Sequence, residues 1–497
     1  MADPTLTLIV GAGPSGISLG YHLKKKLRIN DFVIVDKNAG VGGTWYSNNY
    51  PGCGCDVPSH FYSFSFALNP DWSKPLAEQG EILEYMNSVV DRFDLRPHIL
   101  FETVCTGARW IDVDSTWEVS LQNVKTGHKY TRKVRIFVAG TGFFSRPKYS
   151  RIEGMDSFKG EIMHTAQWDH DYDIRGKKVA VIGNGCSGSQ LVPAIAPQVK
   201  HITHYARSRQ WLFPRPNQPF SAFDKFWFRW VPFALRWRRF KIYWDTDAQY
   251  LEYVDRPGSD KLRAQSEKEA REYMLANTPK KYRDMIIPDY PVGCKRRVFD
   301  PGYLDALHRN NVELVQTPIS HIDEGGIVLQ DGSRQDFDAI VFATGYSTQN
   351  FLAPMEIYGK GGVSLNEHWK STMGCQAYNS VAVSGFPNLA ILFGPNGAPA
   401  HNSAIFNIEV QVEFVIKTYF DTILSGRATE IDVKSSAEDY DCNSVQLGLK
   451  DSVWTSGCTN WTINEFGRNT TSYPDYVRNY WWKLYSPKFE DFSLKVR

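Results

Sequence analysis

"LTLIVGAGPSGISLGYHL", residues 6–23, is a short apolar run, a glycine-rich turn and the start of a helix. The same order returns at residues 178–192 as "KVAVIGNGCSGSQLV". Each copy carries G-x-G-x-x-G: Gly11, Gly13 and Gly16, then Gly183, Gly185 and Gly188. These glycines permit a tight turn, let backbone N–H groups approach a pyrophosphate, and let the helix pack closely on the strand. One such motif is weak evidence. Two, each between a β-branched strand and a helix, specify an α/β chain with two Rossmann-like dinucleotide-binding domains.

The strand downstream of each turn separates the two ligands. The strand "FVIVD" ends in Asp36, and a carboxylate there suits the hydroxyls of an unphosphorylated adenosine ribose, hence FAD. The matching segment "HITHYARSR" supplies Arg207 and Arg209 with no acid, which suits a 2′-phosphate, hence NADPH. Buried-type strands at 134–147 and 338–346 each end in a Thr-Gly turn where the chain would cross between domains. The expected organisation is 1–145 and 345–497 for the FAD-binding domain, 146–216 and 292–344 for the NADP-binding domain, and 217–291 for a helical insertion.

The chain has 497 residues and a formal charge of +2, so no bulk field argues for a nucleic-acid partner. Its eight cysteines show no CxxC or zinc-like spacing, so no metal is expected and the thiols read as reduced, in a cytoplasmic protein without integral membrane segments. Within the insertion, "FDKFWFRWVPFALRWRRFKIYW" spaces Phe226, Trp230, Phe233, Trp237, Phe240 and Trp244 by alternating steps of four and three, with Arg229, Arg236, Arg238, Arg239 and Lys241 at other positions. Such a basic aromatic helix could touch a membrane surface. The expectation is instead that the aromatic stripe packs on a nucleotide domain or over a substrate channel.

Two further stretches carry chemistry. "GVGGTWYSNNYPGCGCD", 40–56, offers Gly42 and Gly43 for close approach to a flavin, Trp45 to pack near it, and Asp56 as a buried acid. "FKGEIMHTAQWD", 158–169, reads as a polar linker before the second turn. With both glycine turns, these stretches resemble the Baeyer–Villiger monooxygenases, class B flavoproteins using FAD, NADPH and O2. The family fingerprint FxGxxxHxxxW followed by Pro or Asp is met by Phe158, Gly160, His164, Trp168 and Asp169, and GGxW…YPGxxxD by Gly42, Gly43, Trp45, Tyr50, Pro51, Gly52 and Asp56.

The resemblance implies insertion of one oxygen atom beside a ketone carbonyl, through a C4a-peroxyflavin, to give an ester or lactone. It carries the catalytic arginine to Arg296, after Lys295 in "CKRR", with Arg297 as runner-up and Asp56 as the arginine's partner. The expected FAD-side set is Gly11, Gly13, Gly16, Asp36, Gly43, Thr44, Trp45, Asp56, Tyr62 and Val104. The expected NADP-side set is Gly183, Asn184, Gly185, Ser187, Gly188, Gln190, Arg207, Ser208 and Lys295, with Trp461 touching NADP or substrate. His164 reads as a hinge residue rather than a proton carrier. Oxygenation of nitrogen or sulfur on the same scaffold is the alternative reaction, and Trp168-Asp169 disfavours it. A disulfide reductase would need a redox cysteine pair by the flavin, and the sequence offers none.

Overall fold

A computed structural model describes residues 4–458 and 460–496; the outermost residues of the first and last expected segments lie outside them. The first sheet holds parallel strands Ile99–Leu100, Phe32–Val35, Thr5–Val10, Lys129–Ala139 and Leu389–Ile391, neighbours in that order. The long strand Lys129–Ala139 also pairs antiparallel with Thr116–Asn123, which pairs with Thr103–Ile111. The second sheet is Val312–Val315, His201–Tyr205, Lys178–Ile182, Ala339–Phe342 and Glu161–His164, all parallel. Near-continuous apolar strands such as "TLTLIV" and "KVAVI" form these centres because a parallel sheet covered on both faces buries every side chain.

The two glycine turns are built alike. Gly11 N–H donates to the Val35 carbonyl (2.8 Å) and Gly183 N–H to the Tyr205 carbonyl (3.1 Å). Both residues have positive φ, +106° and +116°, and a Cβ on either would lie 2.5 Å from the Gly140 carbonyl oxygen or 2.4 Å from that of Ala343. Helices Pro14–Tyr21 and Cys186–Ile195 follow the two turns.

The structure corrects two expectations. The fingerprint segment is not a linker throughout: Glu161–His164 is the edge strand of the second sheet, paired with Ala339–Phe342. An edge strand tolerates the polarity that made it look unlike a core strand. His164 is fully buried between Tyr149 and Tyr346, with ring centroids 5.2 and 6.3 Å away, where the two interdomain crossings run side by side. Lys148 N–H donates to the Gly345 carbonyl and Ser347 N–H to the Arg146 carbonyl, tying those crossings together. Burial lowers the His164 pKa to about 4, and its Nδ1 accepts from the Ala166 N–H (3.0 Å).

The second correction is that the insertion's aromatic stripe does not pack inward. Phe226, Trp230, Phe233, Trp237, Phe240 and Trp244 are all exposed. The opposite faces dock the insertion instead: Leu235 is buried, and Arg239 Nη1 donates to the carbonyls of His60, Phe61 and Ser63. The insertion leaves the second domain after strand Leu212–Phe213 and returns as Val298–Phe299, the two paired in parallel. That ribbon sets the Lys-Arg-Arg segment where the chain re-enters. The C-terminal part packs back on the first domain, with Phe492–Lys495 pairing Glu430–Val433.

Candidate active site

A cavity of about 1160 Å³ spans both domains, and both glycine turns line it. Of the expected FAD-side and NADP-side sets only Gly16 and Gly188 lie off its wall, because they hold helix to strand. A Cβ there would sit 2.0 Å from the Gly11 carbonyl oxygen or 2.2 Å from that of Gly183.

On the first-domain side, Asp36 ends strand Phe32–Val35 and accepts the Ala12 N–H (2.7 Å) and the Asn38 N–H (2.8 Å). Burial raises its pKa above the ordinary carboxylate value. Gly43, at φ +55°, closes over the turn, with its missing Cβ only 2.9 Å from the Gly13 Cα. It starts the one-turn helix Thr44–Ser47, which buries Trp45; the Trp45 indole N–H donates to Tyr62 Oη (3.0 Å). Val104 lines the wall from strand Thr103–Ile111.

On the second-domain side, Asn184 Nδ2 donates to the Ser208 carbonyl (2.9 Å), bracing the glycine turn against the segment that carries Arg207. The helix after the turn is clasped by the YPG loop. Tyr50 Oη donates to Gln190 Oε1 (2.6 Å) and lies 3.3 Å from Ser187 Oγ, and Gln190 Nε2 donates to the Gly54 carbonyl (3.0 Å). A Cβ on Gly52 would meet the Gln190 carbonyl oxygen at 2.4 Å, so that loop approaches only as glycine.

An ion pair also joins the two domains. Arg296 Nε and Nη2 donate to Asp56 Oδ2 (2.8 Å) and Oδ1 (2.7 Å), a two-pronged contact between residues 240 apart in sequence. Burial pushes Asp56 up, but the charge and hydrogen bonds of Arg296 outweigh it and hold the carboxyl below its ordinary value. The charge of Asp56 in turn raises Arg296 further above neutrality. Arg297, the runner-up, is spent elsewhere. It forms a buried ion pair with Glu252 and lies over the rings of Phe213 (5.2 Å) and Tyr253 (5.5 Å).

Sequence reasoning missed three wall or near-wall groups. Arg215 stands between two prolines; its Nη2 is buried with no hydrogen-bond partner among the described residues, and its charge helps lower Asp56. Cys186 opens the second helix beside Asp56 and Arg296, and burial pushes its thiol to about 11, so it stays protonated. Tyr253 reaches the cavity from the insertion. Arg215 and Tyr253 belong to no motif, so only the fold brings them in. The reading of all cysteines as free thiols is also corrected. Cys294 and Cys458 form a disulfide with Cα atoms 6.5 Å apart, tying the segment before Lys295 to the loop before Trp461. Close approach of residues 164 apart leaves no spacing pattern to read. Trp461 lines the cavity, with Phe144 5.8 Å away edge-on, and its carbonyl accepts from Thr348 and Gln349.

The residues present fit two dinucleotides. Gly185 has nothing within 4 Å of where its Cβ would stand, and this bare backbone lines the cavity. Lys295 lies close enough to Arg207 for the like charge to lower its pKa, after the larger effect of burial; two cations held together suit one anionic group. On the first-domain side, Asn402 lines the cavity at the head of helix Ala404–Val415, and its buried Nδ2 finds no partner among the described residues. Such an orphan donor calls for a ligand acceptor.

Comparison with known proteins agrees with this geometry. Residues 8–221 match the family model described as pyridine nucleotide-disulphide oxidoreductase. A Baeyer–Villiger monooxygenase of Streptomyces coelicolor is 34% identical over 467 residues, covering 94% of this chain and 88% of that protein. The closed crystal structure of cyclohexanone monooxygenase superposes with a TM-score of 0.87 at 27% identity, covering 100% of both chains. A crystal structure of OTEMO in complex with FAD and NADP gives 0.86 at 25% identity, covering 99% of this chain and 100% of that one. The chain belongs to the Baeyer–Villiger monooxygenase family.

Proposed function

We propose that this chain uses FAD, NADPH and O2 to insert one oxygen atom beside a ketone carbonyl, giving an ester or lactone, with Arg296 as the catalytic residue and Asp56 as its positioning partner. The observation that carries the reading is the two-pronged Arg296–Asp56 pair, set where the two cofactor domains share one cavity. When bound, FAD supplies activation of O2 and NADPH supplies the hydride that reduces the flavin.

The protein's own groups act by binding and by fixed charge. Gly11, Gly13 and Asp36 would hold the FAD pyrophosphate and ribose, and Gly43, Thr44, Trp45, Tyr62 and Val104 would wall the flavin side. Gly183, Asn184, Gly185, Ser187, Gln190 and Ser208 would hold the NADP backbone, with Arg207 and Lys295 on the 2′-phosphate. As the ketone carbon is attacked, negative charge collects on its oxygen. Arg296 meets that charge already oriented, so no reorganisation is needed as it forms. Asp56 stays ionised, which fixes the guanidinium plane and keeps a net-neutral pair in a partly dry site. Trp45 and Tyr62, both in the cavity wall, limit water beside the reacting centre.

A panel of linear, cyclic and aryl ketones, incubated with the flavin-loaded protein, NADPH and O2, tests the reaction. The expected products are esters or lactones one oxygen atom heavier than the ketone. Oxygenation confined to amine or sulfide substrates contradicts the assignment.

A further inference from the structure

The insertion displays on its surface what its composition would normally bury. In helix Ala234–Ala248 and the residue before it, Phe233, Trp237, Phe240 and Trp244 keep between 50% and 75% of their surface exposed. Helix Ala222–Trp230, packed against it, adds four more aromatics exposed between 46% and 69%, including Trp227 and Trp230. At roughly half exposure each ring shows on the order of 100 Å². Together they exceed the patch of a few hundred Å² usual on a monomer surface.

Charge is arranged around this patch. At about 100° per residue, Trp237, Phe240 and Trp244 fall on one narrow stripe of the second helix, with Arg236 and Lys241 on opposite sides of it. Both are exposed, and neither forms an ion pair among the described residues. Arg229 pairs with Asp71, Arg238 lies over Phe220 and Phe228, and Arg239 is turned inward, while the half-buried Lys225 of the first helix forms no ion pair among the described residues. No carboxylate shares the stripe. Asp224 caps the first helix, Asp247 is buried against His401 and Arg478, and Asp245 lies well round the second helix from the aromatics. The surface continues onto helix Val477–Tyr485. Arg478 lies over the Trp244 ring (5.5 Å), and Trp481, Trp482 and Tyr485 are exposed on the same face of that helix as Arg478.

We propose that this aromatic hairpin is a monotopic anchor that lies on the surface of an anionic lipid bilayer. Trp and Phe favour the depth of the headgroup–acyl boundary, while flanking Arg and Lys extend to the headgroups. No helix among the described residues is long and apolar enough to cross a membrane, so the contact is with the surface. A second copy of the chain is the weaker occupant. Two-fold self-docking sets a patch against itself, and Arg236 and Lys241 would then meet a face without carboxylates. The inference does not depend on the reaction proposed above.

Flotation of the full-length, flavin-loaded protein with phosphatidylcholine vesicles, with and without phosphatidylserine, tests it. The expected result is retention on the mixed vesicles that weakens in high salt. Trp237→Ser/Phe240→Ser/Trp244→Ser should abolish retention. Arg236→Glu/Lys241→Glu should lower it about tenfold or more on anionic vesicles and little on neutral ones. Both variants should keep parental flavin content and NADPH oxidation. No retention of the parent on anionic vesicles, or retention of both variants at the parental level, overturns the proposal. So does a dimer, seen by light scattering without vesicle binding, that the triple variant abolishes.

Discussion

Around the first glycine turn, Gly13 is closed over by Gly43 and the strand-end acid Asp36 is satisfied by two backbone N–H groups. Around the second, Gly185 faces open space, and the strand-end Arg207 stands close enough to Lys295 for its charge to be felt there. Beneath the first turn packs Ile34; at the matching place beneath the second lies His204. Its Nε2–H donates to the Gly183 carbonyl (2.9 Å) and its Nδ1 accepts from Tyr303 Oη (2.8 Å). One motif therefore builds two different sites. The first is crowded at its middle glycine by a second loop and ends in an acid; the second is open there and cationic, as suits a cofactor that carries a phosphate.

Substitutions can break this comparison. The largest effect is expected at the third glycine of each motif, where a Cβ would collide with backbone. Gly16→Ala should strip flavin and destabilise the first domain by at least about 1–3 kcal/mol. Gly188→Ala should keep the flavin spectrum yet lose NADPH binding in a titration. Flavin loss in both variants to the same degree contradicts two separate sites. Next, Arg207→Ala or Lys295→Ala should raise KM for NADPH relative to NADH by about tenfold to a hundredfold, whereas Asp36→Ala should leave that ratio alone and weaken FAD retention.

The smallest effect is in pH dependence. Burial lowers the His204 pKa to about 4 from 6.5, so its contribution to stability is full above 6.5 and falls as acid approaches 4. At pH 5 the loss relative to pH 7.5 is on the order of 1–2 kcal/mol. His204→Gln should flatten the difference between denaturation curves at those two pH values by that amount. An unchanged difference rules the histidine out as its source.

Much of the architecture was legible because short-range chemistry encodes it. Paired strand–glycine–helix patterns and the acid-versus-arginine contrast needed only local sequence, and Arg296 and Asp56 were reached through family resemblance. What sequence did not show depends on long-range placement. Arg296 and Arg297 are told apart only in the fold, where Glu252 engages Arg297 and Asp56 engages Arg296. Arg215, Tyr253 and the Cys294–Cys458 pair enter the region only because separate segments converge there. The aromatic stripe of the insertion was read with the right period and the wrong face. Periodicity shows that one face differs from the other, but not which face the neighbouring domain covers.

The two sites are joined chemically only if Arg296 serves the oxygen-transfer half of the reaction. Stopped-flow measurement of flavin reduction by NADPH, alongside ester formation from an accepted ketone, therefore tests that role in Arg296→Ala. Reduction is expected within a few-fold of the parent, with ester formation lowered by about 10²–10³ or more. Ester formation near the parental rate contradicts the role given to Arg296.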